Sequence, residues 1–151
     1  MIIEQADLFR GMSKDFVKQV FDITIKESLD EGDVLFREGD HARHLYILLK
    51  GRIRLSTGET GQLVHTVSRG GEAFGWSSLV DRDVYSASAE CIVPTKLIKI
   101  DREEFEKVVE KDLANAVIFY KRLAGTVGER LINSYHALRL MQPSEDHRSD
   151  R

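Results

Sequence analysis

Gly32-Asp33-Val34-Leu35-Phe36-Arg37-Glu38-Gly39-Asp40, followed by Leu45-Tyr46-Ile47-Leu48-Leu49-Lys50-Gly51-Arg52-Ile53, is the stretch on which the fold turns. Val34 and Phe36 stand two residues apart, as do Ile53 and Leu55, the spacing at which side chains share one face of a strand. Leu45–Leu49 is apolar throughout and rich in strand formers, as a strand buried on both faces would be. Upstream, Ile23 and Ile25 repeat the alternation; downstream, Val64 and Thr66 oppose His65 and Val67. Glycines from Gly32 to Gly75 punctuate these runs, and Gly39 and Gly51 stand where tight turns need positive φ. Cys91–Val93 and Lys96–Ile100 supply the last strands. Many short strands with glycine turns predict an antiparallel barrel or sandwich over about 21–100.

On both sides of this region the period becomes helical. Ser13 is an N-cap before Lys14–Val20, whose apolar stripe is Phe16, Val17 and Val20. Asp101 caps a helix that carries Glu103 and Glu104 in its first turn, where the macrodipole favours acids. Phe105, Val108 and Val109 form its apolar face. A long helix follows, roughly Leu113 to Met141, and then a polar tail at 142–151. The expected organisation is one domain over 1–141, with the helices at about 102–141, plus the tail.

Composition narrows the functions. The 151 residues suit one domain, and 42% apolar with 31% charged residues is an ordinary globular mix. Lys and Arg number 22 against 25 Asp and Glu, a net charge of −3, which argues against direct nucleic-acid binding. The opening MIIEQADLFR has no basic region followed by an apolar stretch, and no apolar run spans a membrane. A single cysteine, Cys91, excludes a disulfide framework within the chain. A cytoplasmic chain with no membrane contact is expected.

The long helix carries a heptad. Leu113, Val117, Tyr120, Ala124, Val127, Leu131, Ser134, Leu138 and Met141 follow a strict 4-3 spacing, the seam of a coiled coil. A second stripe, Ala116, Phe119 and Leu123, lies beside it. Two stripes predict two partners: the chain's own β-domain and a second copy, in a homodimer seamed by Val117, Tyr120, Ala124, Val127, Leu131 and Leu138. Gly125 and Gly128 near Ala124 permit close helix approach at some cost in helix propensity.

These motifs together carry a resemblance. Gly32 through Asp40, Leu45-Tyr46-Ile47-Leu48 and Lys50-Gly51-Arg52-Ile53 resemble the β-roll signature of cyclic nucleotide-binding domains, the sensor of the catabolite activator protein. Leu8-Phe9-Arg10-Gly11-Met12-Ser13 is similar to the family's entry helix. Gly71-Glu72-Ala73-Phe74-Gly75 resembles the start of its phosphate-binding cassette. The resemblance spans about 5–140. It implies a mainly β fold, an antiparallel, jelly-roll-like β-roll with an N-terminal helix and a C-terminal helix pair. It also implies cyclic AMP or cyclic GMP as ligand. The implied site residues are Gly71, Glu72, Phe74, Gly75, Trp76, Ser77, Ser78, Leu79, Tyr85, Ser86, Ala87 and Ser88. Asn133, Ser134 and Tyr135 fall about where family members contact the base.

The chain departs from this pattern at two places. Where the family has a glutamate for the ribose hydroxyl stands Trp76. Nine residues on, where an arginine pairs with the cyclic phosphate, stands Tyr85. The small run Ser86-Ala87-Ser88 follows as the pattern expects. A buried phosphate without its cation loses about 3–5 kcal/mol, by analogy with broken buried pairs, so binding should weaken by orders of magnitude. Three states of the pocket remain open. A shifted loop could bring in Arg82 or Arg69 as the cation. The two rings could receive a planar or apolar ligand. Or the rings fill the pocket themselves.

Other chemistries fit less well. His41 and His44 invite comparison with cupin metal sites, but the spacing is wrong and no acid follows in Leu45–Leu49. Cys91 in an apolar strand reads as a small core residue. No catalytic constellation can be assigned, so no enzyme and no metal are expected. The polar residues at 142–151 are not expected to form the DNA-binding helix-turn-helix of the resembled regulators. The expected role is a regulatory sensor acting through a separate effector protein. The alternative is an interaction and dimerisation module with a plugged pocket.

Overall fold

The structure, a computed structural model, describes residues 2–141. A short helix α1 (Ile2–Gln5) leads to α2 (Lys14–Asp22), which begins where Ser13 Oγ accepts a hydrogen bond from the Phe16 amide at 3.3 Å. The strands follow: β1 (Thr24–Leu29), β2 (Val34–Phe36), β3 (His44–Lys50), β4 (Ile53–Thr57), β5 (Gln62–Val67), β6 (Ala73–Phe74), β7 (Ser88–Cys91) and β8 (Thr95–Asp101). A 3-10 turn, Trp76–Leu79, separates β6 from β7. The chain ends in α3 (Arg102–Lys111) and α4 (Leu113–Met141). The tail expected at 142–151 lies outside the described residues.

Two antiparallel four-stranded sheets form the roll, in the orders β1-β8-β3-β6 and β2-β7-β4-β5. The fold is therefore the expected mainly β roll with flanking helices. β3 shows how the sequence builds two cores. Leu45 and Ile47 point into a cluster with α1–α4, whereas Tyr46 and Leu48 point into the roll interior with Phe36, Leu55, Phe74, Tyr85 and Leu97. A strand buried on both faces is the one place where a continuous apolar run is satisfied. Gly39 and Gly51 have φ of 92° and 125°, as the turns require.

Two strand boundaries differ from the sequence reading. Ile23 is not in a strand: its amide caps α2 on the Val20 carbonyl, and Ile25 on β1 is 53% exposed. The strand expected at Cys91–Val93 is instead Ser88–Cys91, paired with both β2 and β4. Pro94 has no amide to continue the ladder. Ser, Ala and Glu are weak strand formers, so pairing on both sides, not propensity, makes β7 a strand.

The helices cover the outer face of the first sheet. Asp101 Oδ2 accepts from the amides of Glu103 at 3.0 Å and Glu104 at 3.1 Å. Asp112 ends α3 and accepts from the Asn115 amide at 3.1 Å, opening α4. The buried residues of α4 are Ala116, Phe119 and Leu123, the second stripe of the sequence. Phe119 stacks on Phe9 with ring centres 5.1 Å apart and lies 4.9 Å from Phe105. Full burial of such a ring contributes about 1.5–3 kcal/mol. From residue 131 to Met141 the helix is exposed throughout. Among the described residues no helix is long and apolar enough to cross a membrane.

Candidate functional site

The cassette begins on β6, which pairs Phe74 with Tyr46 and Ala73 with Ile47. Gly75 then takes φ 78°, and a Cβ there would stand 3.1 Å from the His44 carbonyl oxygen and 3.2 Å from the Tyr46 ring. Only glycine lets the chain turn this close to β3. Ser77 and Ser78 are buried, and Ser78 Oγ donates to the Gly75 carbonyl at 2.9 Å. The loop then crosses to the β2–β3 turn. There the Tyr85 amide donates to the Asp40 carbonyl, and the Tyr85 carbonyl accepts from the Gly39 amide, both at 2.9 Å.

These main-chain bonds drive Tyr85 inward. Its residue is 4% exposed, and its ring lies on Phe36 with centres 3.7 Å apart and planes 15° from parallel. Its hydroxyl donates to the His44 carbonyl at 2.6 Å and accepts from the His44 amide at 3.0 Å. Tyr46 stacks on Phe74 at 5.2 Å and faces Phe36 at 5.7 Å, completing an aromatic cluster. Burial pushes the hydroxyl pKa of Tyr85 up and that of Tyr46 far up. Both hydroxyls are therefore neutral at physiological pH.

A cavity of about 30 Å³ remains, bordered by Phe36, Leu55, Gly75, Trp76, Ser77, Tyr85, Ser86 and Ala87. That is about the room one water molecule occupies, and small-molecule sites run to about 300–1,000 Å³. No cation borders it. A phosphate placed in this cavity would meet no cationic side chain in its lining. Trp76 touches this cavity, but it packs against the helical cluster rather than the roll cluster that holds Tyr85. Both rings border this cavity, but the bulk of each packs into a different core.

Neither rescue arginine turns inward. Arg69 makes a two-pronged ion pair with Asp7, at 2.9 and 2.7 Å, and its side chain is 62% exposed. Arg82 is exposed. Glu72, expected at the ligand, instead ties the cassette to α4. Its carboxylate meets His65 Nε2 at 2.6 Å and Arg130 at 3.6 Å, and accepts from the amides of Ser68 and Arg69. Burial pushes this carboxyl up, but hydrogen bonds from His65 and the Arg69 amide, with the His65 charge, hold it below the ordinary range. Arg130 also donates to the Ala73 carbonyl at 2.9 Å.

The residues expected to reach the base from α4 do not meet the cassette. Asn133 and Ser134 border a separate cavity of about 160 Å³ against Val64 and His65 of β5. Tyr135 is 55% exposed and stands between Leu131 and Leu138 at helical spacing, beside the exposed apolar stripe. The sequence reading missed Arg102, which donates to the carbonyls of Val80 at 3.0 Å, Arg82 at 2.7 Å and Ala42 at 3.3 Å. It fastens the loop between the 3-10 turn and Tyr85 to the start of α3. A lone basic residue in a helix's first turn gave no signal for this. His41 and His44 do not converge, and among the described residues no group of three or more His, Cys, Asp or Glu side chains forms a metal site. Cys91 is buried, and burial pushes its thiol pKa up.

Residues 26–112 match the family model of the cyclic nucleotide-binding domain. Human cGMP-dependent protein kinase 2 is 30% identical over 118 residues, covering 71% of this chain and 15% of the kinase. The chain thus spans a small part of that relative's length. The crystal structure of the Thermus thermophilus catabolite activator protein is 26% identical, with a TM-score of 0.72, covering 90% of this chain and 63% of that one. A cyclic nucleotide-binding domain from Methylobacillus flagellatus shares the fold at a TM-score of 0.79 and 21% identity, covering 96% and 83%.

Proposed function

This chain belongs to the cyclic nucleotide-binding domain family, and we propose that it is a non-catalytic regulatory member whose pocket is filled by its own Tyr85. One observation carries this reading: the Tyr85 ring, stacked on Phe36 at 3.7 Å, leaves about 30 Å³ at the cassette. Cyclic AMP or cyclic GMP would have to expel the ring, break its two hydrogen bonds to His44 and bury a phosphate with no cation beside it. A hydrogen bond to a charged group is worth about 1.5–3 kcal/mol and an uncompensated buried charge costs about 3–5 kcal/mol. Both count against uptake.

Without a small ligand, the output rests on surfaces. Val117 is 56% exposed, Leu131 51% and Leu138 57%, along one side of α4. At the base of this stripe, Val109, Leu113, Ala116 and Tyr120 shape an open apolar groove of about 690 Å³. The proposed arrangement is a homodimer seamed along α4, presented to a separate effector protein in the cytoplasm. It does not touch nucleic acid or membrane.

The test is a gain of function. In the double variant Tyr85→Arg and Trp76→Glu, titration with cyclic AMP and cyclic GMP by calorimetry should reveal saturable binding that the parent lacks. Equal binding by parent and variant would overturn the reading. If neither binds, the assignment of those two positions to the lost anchors is wrong.

A further inference from the structure

Where α1 and the end of α2 meet the first sheet lies a groove of about 490 Å³. Its apolar walls are Ile3, Phe21, Leu49 and Ile98, with Thr24, Lys26 and Asp22 supplying polar atoms. Phe21 is 47% exposed although its neighbour Val20 is fully buried. The groove is of small-molecule size and mostly apolar, with few polar groups, as binding sites are. It lies on the opposite face of β3 from the Tyr85 cluster, since Leu49 packs with the helical core.

Charge gathers beside it. A register shift at Leu48/Lys50 places Lys50 directly opposite Lys96 in the β3–β8 ladder. Like charges directly opposite destabilise a sheet. Lys96 in turn faces Ser28 on β1, and Lys26, two positions along, faces Ile98, so all three lysines share the groove's face. None of them makes an ion pair with an acid among the described residues. Lys99, on the other face, does: it meets Glu27 at 2.5 Å. An anion beside the apolar slot would relieve this repulsion.

We propose that this groove binds an anionic amphiphile, an acyl chain ending in a carboxylate. The chain lies over Ile3, Phe21, Leu49 and Ile98, and the head sits among Lys26, Lys50 and Lys96. Asp22 at the lining favours a singly charged head over a doubly charged phosphate. The site is independent of the cassette, so its failure leaves the reading of Tyr85 untouched.

Decanoate is the probe, with decylammonium as the same tail bearing the opposite charge. Calorimetry on the full chain should show binding of decanoate and at least about tenfold weaker binding of decylammonium. The Lys26→Gln, Lys96→Gln double variant should weaken decanoate by at least about tenfold, since it removes charge-assisted hydrogen bonds. Asp22→Asn should tighten it. In methyl-labelled spectra the shifts should fall on Ile3, Leu49 and Ile98. No binding of decanoate, equal affinity for the two probes, an unchanged affinity in the lysine variant, or shifts confined to α4 would each overturn the proposal.

Discussion

Replacing Tyr85 with Ala removes the ring that closes the roll. The loss has three parts: the buried ring itself, its face-to-face contact with Phe36 at 3.7 Å, and two hydrogen bonds to the His44 main chain. Aromatic-to-Ala changes in cores cost about 3–5 kcal/mol, a figure that includes the residual cavity. Tyr85→Phe isolates the hydroxyl and should cost about 1–3 kcal/mol, because the His44 amide and carbonyl lose a partner. Urea unfolding at 25 °C measures both. The new hole is apolar on the Phe36, Tyr46 and Phe74 sides, so phenol should refill it. Phenol at a hundred times its dissociation constant would restore about 2.7 kcal/mol to the Ala variant. The parent, with no room, should gain nothing. A cost below about 1 kcal/mol for Tyr85→Ala, or equal stabilisation of parent and variant by phenol, would refute the idea that this side chain fills the pocket.

Three further outcomes are expected. Arg102→Ala frees the carbonyls of Val80 and Arg82, so amide exchange across 80–85 should accelerate about 10- to 100-fold. The Glu72 carboxyl is held below its ordinary value of 4.5, so its stabilising share is complete above that value and is lost as pH falls through the folded one. Exchange protection of α4 around Arg130 should therefore drop in acid, and Glu72→Gln should abolish that pH dependence. Val117→Glu, at a 56% exposed position, should halve the sedimenting mass without altering the circular dichroism. An unchanged mass would count against the α4 seam.

Much of this fold was legible in the sequence because its signals are local. Ser13 and Asp101 are caps, and caps depend on the next three residues. The switch from a period of two to 3.6 after Asp101 marks α3, and the stripe Ala116, Phe119 and Leu123 is the face that α4 buries. β7 was misplaced because its residues are weak strand formers held by neighbours on both sides. At the site, counting nine residues on from Trp76 singles out Tyr85, and the geometry adds that its ring is buried. Trp76 borders the cassette cavity as well as packing with the helical cluster, a double placement that spacing alone does not resolve. Arg102, Glu72 and Arg130 act through contacts between segments far apart in the chain. Their partners are main-chain carbonyls and a histidine on β5, which leave no mark in the local pattern.

That Tyr85 leaves the roll no room for a cyclic nucleotide is our proposal. Its most direct test is titration of the parent protein with cyclic AMP and cyclic GMP, followed by calorimetry and by the fluorescence of Trp76, the single tryptophan, which borders the remaining cavity. The account predicts no saturable heat and no fluorescence change up to millimolar nucleotide. Saturable binding in the micromolar range, abolished by competition between the two nucleotides, would contradict it.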